Sequence, residues 1–271
     1  MHTNRLSLLP ATTLLVLLFV CIATAGTDAT SGHSRNNLFE VRDGGIIRGP
    51  KERRKLALVF TGHEFAEGGD TILSELKKHQ AKASFFMTGD LLANTNFSPL
   101  IHRIIRDGHY LGPHSDKHIL YCSRETPPKT LVTRDQFFAD VTNNLMRIEA
   151  FNVPGERIGW FLPAYEHYNG QIVGWTKELG VRLINFTPGT RSNADYTGEA
   201  DKNFVSSQAI LDSIVSREKK EPAGLNGFIL LLHIGAGPGR QDKFHARFGE
   251  LLDYLLERKY RLVTIGELLA D

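Results

Sequence analysis

The feature that most constrains this chain is a regular alternation of short apolar segments and longer amphipathic ones, which begins at about residue 38. Residues 55–60 and 228–232 have the pattern of buried strands, whereas residues 134–150 and 206–219 repeat apolar residues at helical spacing. About seven such strand–helix units follow one another, and this order favours parallel strands joined by crossover helices. That number of units suits a closed β/α barrel better than an open sheet. A doubly wound sheet is the alternative, but the glycine-rich fingerprint of its nucleotide-binding form does not follow the first strand.

The first 25 residues differ in composition from the rest of the chain. A short start that carries Arg5 is followed by the apolar stretch 14–22 and by Ala23-Thr24-Ala25, a small-residue pattern that signal peptidase accepts. We therefore predict a signal peptide over residues 1–25 and export to the periplasm or the extracellular space. The apolar stretch is too short to span a bilayer stably, so we expect no transmembrane span in the mature chain.

Cys21 suggests a second interpretation, because a cysteine at the end of such a segment can be lipidated and can anchor the protein. Val20 stands where a small residue is expected, which makes lipid anchoring the less favoured alternative. Residues 26–37 are polar and lack periodicity, as is typical of a flexible leader. Residues 38–271 are then predicted to form a single catalytic domain.

The charges of the chain almost cancel. It has 32 basic and 30 acidic residues, so it lacks the net positive field that holds a nucleic-acid backbone. The basic cluster at residues 51–55 is interpreted as a solvated approach to the first strand. We therefore predict no nucleic-acid partner.

Polar residues directly follow several of the predicted strands. In a parallel barrel, the side chains that perform chemistry lie where the strands end. The segments of interest are 60–64, 114–118, 161–166 and 230–233.

His114 and His118 are four residues apart, a spacing that puts two imidazoles on one side of a helical turn and lets them bind one metal ion. With 11 histidines in 271 residues, chance alone supplies roughly half of one such pair, so the spacing needs support from other residues. His233 follows the apolar run 228–232, where a buried histidine with a structural role is the competing interpretation.

Together these segments resemble the polysaccharide deacetylase family, also known as the NodB-homology or carbohydrate esterase family four group. The most specific piece is His114-Ser-Asp-Lys-His118, which matches the family's His-Ser-x-x-His motif. Residues 83–89 resemble its second strand, and Leu231-Leu-His233 resembles its final Leu-x-His motif. The resemblance covers residues 56–269 and implies a distorted (β/α)7 barrel. It also implies a metal-dependent hydrolase that removes acetyl groups from amino sugars or sugar esters.

The first motif departs from the family pattern. The family has Thr-Phe-Asp-Asp, which supplies a general base and a metal ligand, but this chain has Thr61 and Gly62 at the two Asp positions. His63 and Glu64 follow directly and could reach the same space. We therefore expect Glu64 to be the third metal ligand and His63 to be the base.

The family's Arg-x-Pro motif is also altered, because Leu162 replaces the arginine that orients the base. A histidine base would suit a negative partner, for which Glu166 is the candidate. The polar segment 185–196 could line a sugar site, with an ordinary surface loop as the competing interpretation. Our candidates for contact with the substrate are Tyr165, Glu166, Arg191 and Asp195, and Tyr165, Tyr168 and Tyr196 could either stack on sugar rings or pack internally.

These assignments predict a divalent ion, with zinc as the expected metal, bound by Glu64, His114 and His118 with one position open for water. His63, or Glu64 if it is not a metal ligand, would take the proton from that water, and His233 would protonate the leaving amine or hydroxyl. A backbone N–H of the Tyr165 loop would help to stabilise the oxyanion. The expected partner is an acetylated glycan.

Two other functions are compatible with the altered motifs. Loss of both Asp residues could leave a catalytically inactive, carbohydrate-binding barrel. The changed arginine position could instead suit hydrolysis of a different amide bond. The identity of the glycan and the choice between nitrogen-linked and oxygen-linked acetyl groups stay open at this point.

Overall fold

The computed structural model describes residue 1 and residues 38–270. Apart from residue 1, the predicted signal peptide over 1–25 lies outside the described residues, as do the predicted leader over 26–37 and Cys21. Among the described residues, no helix is both long and apolar enough to cross a bilayer.

Strands and helices alternate along the described part of the chain. The strands are β1 (Glu40–Arg42), β2 (Gly45–Arg48), β3 (Lys55–Gly62), β4 (Ser84–Met87), β5 (Tyr110–Pro113), β6 (Trp160–Phe161), β7 (Arg182–Leu183), β8 (Ile229–His233) and β9 (Arg261–Val263). The α-helices are α1 (Gly69–Lys78), α2 (Gly89–Ala93), α3 (Ser98–Arg106), α4 (Arg134–Glu149), α5 (Gly170–Glu178), α6 (Ser207–Lys220), α7 (Phe248–Glu257) and α8 (Ile265–Leu268). The predicted order is confirmed from β3 onward, although the strands predicted at 158–161 and 181–186 are shorter than expected.

The main sheet is parallel and five-stranded, with the order β5-β4-β3-β8 and with β9 paired to β3. Strands β6 and β7 form a separate parallel pair. Single contacts connect the β6–β7 pair to its neighbours: the Leu162 N–H donates to the Pro113 carbonyl of β5 at 3.3 Å, and Ile184 forms a parallel bridge to Ile46 of β2, which pairs with β1 in a third sheet. The Thr187 N–H donates to the Ile229 carbonyl at 3.0 Å. The strands therefore form a distorted, discontinuous barrel, as predicted.

The hairpin β1–β2 was not predicted, although its turn carries a recognisable signal. Asp43 and Gly44 connect the two strands with φ values of 47° and 86°, the left-handed conformation that an Asp-Gly hairpin turn requires. Strand β2 then fills the gap between β7 and β8, where Arg48 forms an antiparallel bridge to Phe228.

Side chains alternate along β3 between two apolar layers, as expected for a strand that is buried on both faces. Leu56, Leu58 and Phe60 belong to the cluster that includes residues of the outer helices α1 and α7. Ala57 and Val59 belong instead to the cluster between the strands. The same alternation assigns Thr61 to the inner side, at the end of the strand where the candidate site lies.

Candidate active site

A cleft of about 590 Å³ lies where β3, β5 and β8 end. Strand pairing fixes part of its floor, because Thr61 is the register partner of His233 across the β3–β8 pair. The residues that line the cleft are Thr61, Gly62, His63, Glu64, Phe65, His114, His118, Arg124, Tyr165, Glu166, Phe186, Asn193, Tyr196, His233, Gly235 and Ala236.

His114 and His118 lie in the cleft with their ring centroids 5.3 Å apart, but the helical turn predicted for them is wrong. Residues 114–118 form a loop in which Ser115 and His118 have φ values of 77° and 52°. A helix is excluded here because the left-handed conformations of Ser115 and His118 break it, and the backbone N–H groups of Asp116 and Lys117 donate to a side chain outside the loop. The loop nevertheless brings the two rings together, as the spacing suggested.

Two buried residues of α4 hold this loop, and sequence reasoning missed both of them. Asp140 accepts the N–H groups of residues 116 and 117 at 3.0 Å and the Tyr121 hydroxyl at 2.6 Å. Asn144 accepts the His114 N–H at 2.8 Å and donates to the Met87 carbonyl at 3.1 Å. Their signal in the sequence is a pair of polar residues four apart on the helix face that also carries buried Val141.

Burial makes both imidazoles of the pair poor proton acceptors. It lowers the pKa of His114 well below the usual range and lowers the pKa of His118 to about 4. The Nδ1–H of His114 donates to the Leu162 carbonyl at 2.9 Å, which leaves Nε2 as the nitrogen with a free lone pair. A neutral ring fixed in this way is the form in which histidine binds a metal.

His63 and Glu64 stand beside the pair in different ways. The His63 ring stacks on His118 with centroids 4.6 Å apart, and its Nδ1 lies 3.2 Å from the Thr88 hydroxyl. The Glu64 side chain is 68% exposed, and its Oε1 lies 4.0 Å from His63 Nε2. Within residues 38–270, no three His, Cys, Asp or Glu side chains are positioned together to hold a metal. The donor chemistry of the two imidazoles fits a divalent ion, and Glu64 would have to turn inward to complete the set.

The two altered positions of the first motif differ in the space around them. Thr61 Oγ1 is buried on the cleft floor and has no hydrogen-bond partner among the described residues. At Gly62, a Cβ atom would lie 2.7 Å from both Ile234 Cγ2 and Met87 Sδ. A carboxylate at position 62 would therefore clash with buried side chains unless Ile234 and Met87 shift.

His233 is paired with a buried carboxylate. Asp195 Oδ1 lies 2.7 Å from His233 Nδ1, and Asp195 Oδ2 accepts the His233 backbone N–H at 2.9 Å. Burial acts to lower the pKa of His233, but the carboxylates of Asp195 and Glu166 outweigh it and raise this pKa above its usual range. Asp195 is not among the cleft-lining residues, so its contact is with His233 rather than with the open cleft.

Arg240 holds the segment that carries Asp195. Its guanidinium is fully buried and donates to the carbonyl oxygens of Thr197 at 2.7 Å, Val205 at 2.9 Å and Asp242 at 2.6 Å. Nothing in the local sequence indicated this role, because the contacts join loops that are distant along the chain.

Tyr165 and Glu166 enter the cleft from a strained turn, in which their φ values are 58° and 53°. Burial raises the pKa of Glu166. The charged groups that act on it are His233, Asp195 and Arg124, and His63 is not one of them. The expected partnership between Glu166 and His63 is therefore not what the charges around Glu166 favour.

The remaining predicted sugar contacts separate into two groups. Tyr165 and Tyr196 line the cleft, and their rings lie 4.4 Å from His118 and 4.9 Å from His233. Tyr168 instead packs in the apolar cluster beneath α5, and its hydroxyl donates to the Arg42 carbonyl at 2.9 Å. Arg191 is exposed and lies outside the residues that line the cleft.

Comparison with known proteins places these features in a family. The family model described as polysaccharide deacetylase matches residues 48–184, a range that ends before Asp195 and His233. A peptidoglycan-N-acetylglucosamine deacetylase of Bacillus cereus is 23% identical over 219 residues, which are 80% of this chain and 69% of the relative.

Solved structures with similarly low sequence identity to this chain share its fold. Bacillus subtilis PdaA, a family 4 carbohydrate esterase, is 20% identical with a TM-score of 0.65, and the match covers 83% of this chain and 85% of PdaA. A pseudoenzyme of the same esterase family from Bacillus anthracis is 20% identical with a TM-score of 0.64, and the match covers 84% of this chain and 69% of the pseudoenzyme. The likeness therefore includes both an esterase and a pseudoenzyme on one barrel.

Proposed function

Because this chain belongs to the polysaccharide deacetylase family, we propose that it hydrolyses acetyl groups from a glycan with the help of a divalent metal ion. The observation that carries the proposal is a single cleft lined by the neutral His114–His118 pair and by His233, which is held by Asp195. The His114–His118 pair supplies metal donors. The His233–Asp195 pair supplies a proton, because the carboxylate offsets the lowering of the His233 pKa by burial.

The ion, with zinc as our expectation, would be held by His114, His118 and an inward-turned Glu64. When bound, it would supply Lewis acidity toward the acetyl carbonyl and toward the attacking water. His63 would accept the proton of that water, since it stacks on His118 at the edge of the same donor set. A positioned base of this kind contributes about 10²–10⁴-fold to the rate.

His233 would complete the reaction. Its pKa is raised, so it holds a proton at a higher pH than an ordinary buried histidine does. When the C–N or C–O bond of the tetrahedral intermediate breaks, that proton would pass to the leaving amine or hydroxyl and acetate would be released. Asp195 would stabilise the imidazolium before this transfer and hold the ring in place afterwards.

We further propose that the glycan is met after export, as the predicted signal peptide over 1–25 implies. The similarity to a peptidoglycan deacetylase supports a cell-wall or related polysaccharide as the substrate.

A catalytically inactive, glycan-binding barrel is the second candidate, and two observations favour it. Among the described residues, Thr61 Oγ1 stands without a hydrogen-bond partner where the family has its base, and a solved structure of similar fold is a pseudoenzyme. On this alternative the cleft binds glycan and releases no acetate.

Zinc content and acetate release, measured on the same samples, test the two candidates. Elemental analysis gives the zinc stoichiometry, and acetate is measured with acetylated chitooligosaccharides and peptidoglycan fragments. The proposal expects stoichiometric zinc, acetate release that EDTA abolishes, and loss of both in His118→Ala. His102→Ala is the control, because His102 is exposed on α3 outside the cleft. Zinc-loaded protein that binds these glycans without releasing acetate would establish the inactive alternative.

The roles of the first-motif residues are separated by the same two measurements. Glu64→Gln should lose zinc together with activity if Glu64 is a ligand. His63→Ala should keep zinc and lose activity if His63 is the base. The reverse pattern would exchange the two assignments.

A further inference from the structure

The exposed aromatic side chains of the described residues are gathered at the cleft. Phe65, Tyr165 and Tyr196 are 41%, 43% and 50% exposed, and all three line it. Large apolar groups left in water around one concave site indicate a ligand surface rather than packing. Aromatic faces suit the apolar C–H faces of sugar rings, so the cleft is built for several rings of a glycan rather than for an acetyl group alone.

Arg124 adds a permanent positive charge to this surface. It is exposed, and it is the only lysine or arginine among the cleft-lining residues. Its guanidinium lies 5.9 Å from the centre of the Tyr165 ring. In residues 38–270, no carboxylate lies within 4.0 Å of this guanidinium, and the adjacent Glu125 pairs with Lys129 at 2.9 Å.

The other charges of the cleft divide it into two parts. Glu64 lies on the side of His63, while Arg124 lies on the side of Tyr165 and acts on Glu166 from there. An anionic substituent would be repelled from Glu64 and attracted to Arg124. The planar fork of an arginine matches a carboxylate, to which it can donate two parallel hydrogen bonds.

We propose that Arg124 and Tyr165 form a subsite for a sugar that carries a carboxylate, next to the sugar that carries the acetyl group. This inference deepens the proposed function and depends on it for the acetyl group. It assigns the substrate to the class of acidic acetylated glycans. Tyr165 supports the sugar ring, and Arg124 binds its carboxylate.

Binding measurements with matched ligands test the subsite without any need for turnover. The probes are a neutral N-acetylated tetrasaccharide and a tetrasaccharide of equal length in which a neighbouring sugar is a uronate. Calorimetric titration in EDTA keeps the metal-dependent reaction from consuming the ligand. A charge-assisted, bidentate contact predicts that the wild type binds the uronate ligand about 10-fold more tightly than the neutral one.

Arg124→Gln should remove this preference, so that the variant binds the two tetrasaccharides with equal affinity. Arg124→Lys should keep part of the preference, because the charge remains and the fork is lost. Lys129→Gln is the control, since it removes an exposed, paired charge from the same loop outside the cleft. Added salt should weaken binding of the uronate ligand alone.

Equal wild-type affinity for the two ligands, or a preference that survives Arg124→Gln, would overturn the subsite. Absence of acetate release with the uronate preference intact would refute the proposed hydrolysis and leave the subsite standing. Acetate release from neutral glycans without any uronate preference would overturn the subsite and leave the proposed hydrolysis standing.

Discussion

Replacing Asp195 by Asn tests whether His233 delivers the proton to the leaving group. The carboxylate is 4% exposed and contacts both the ring and the backbone of His233, at 2.7 and 2.9 Å. Asn keeps the volume and one acceptor oxygen but removes the charge that favours the imidazolium. The pKa of His233 lies above its usual range because of this charge, so the substitution must lower it.

The size of the effect follows from the contact. A hydrogen bond to a charged, buried partner contributes about 1.5–3 kcal/mol, and about 1.4 kcal/mol corresponds to a factor of ten. We therefore expect kcat/KM at neutral pH to fall by about 10- to 100-fold in Asp195→Asn. The loss should shrink as the pH is lowered, because His233 regains its proton there.

Acetate release measured from about pH 5 to pH 9 gives the profile that checks this reasoning. The alkaline limb of kcat/KM should move to lower pH in Asp195→Asn, and NMR titration of the His233 ring should move in the same direction. Asp135→Asn is the control, because Asp135 is exposed at the start of α4. If the alkaline limb and the NMR titration of Asp195→Asn both coincide with the wild type, His233 is not the acid that the carboxylate supports.

Three further predictions concern stability and can be checked by urea unfolding. Asn144→Ala leaves two buried backbone groups without partners, so it should lower the free energy of unfolding by about 1–3 kcal/mol, and an unchanged value would contradict its role in holding the loop. Gly62→Asp should destabilise the protein by about 1–3 kcal/mol, because its Cβ would lie 2.7 Å from Ile234 Cγ2. Gly174→Asp in α5 meets nothing within 4 Å and should be nearly neutral, and equal stability of the two variants would contradict the steric argument. Burial lowers the pKa of His118 to about 4, so below about pH 6.5 the unfolded chain binds a proton that the folded protein does not. The free energy of unfolding in EDTA should therefore fall as the pH drops from about 6.5 toward 4. His118→Asn should make this pH dependence weaker.

Strand ends could be predicted from the sequence because burial on both faces leaves a simple signature. The apolar run 228–232 and the alternation along β3 determine which residues reach the end of each strand, and His233 and Thr61 are found there. His63 and His114 each follow a strand of one parallel sheet and His233 ends another, and this strand order brings them to one cleft.

The predicted helical turn at 114–118 failed because the decisive partner is remote. A spacing of four residues is compatible with a helix, but Asp140 holds the N–H groups of residues 116 and 117 in a loop in which Ser115 and His118 have left-handed conformations. The role of Asp195 as the partner of His233 was missed for the same reason. The two residues are 38 positions apart, and a local sequence pattern does not indicate a contact over that separation. Tyr168 could not be separated from Tyr196 either, since exposure depends on how α5 packs.

One of the candidate metal ligands, His114, also makes a hydrogen bond that connects two strands of the barrel. The Nδ1–H of His114 donates to the Leu162 carbonyl at 2.9 Å, beside the 3.3 Å bond from the Leu162 N–H to Pro113, and these contacts join β5 to β6. A substitution of His114 thus removes a metal-donor atom and also a contact between β5 and β6. The folding of such a variant must be verified before any loss of catalysis is attributed to the imidazole. His118 lies between the rings of His63 and Tyr165 and takes no part in this contact between strands, so a substitution there tests the metal site more directly.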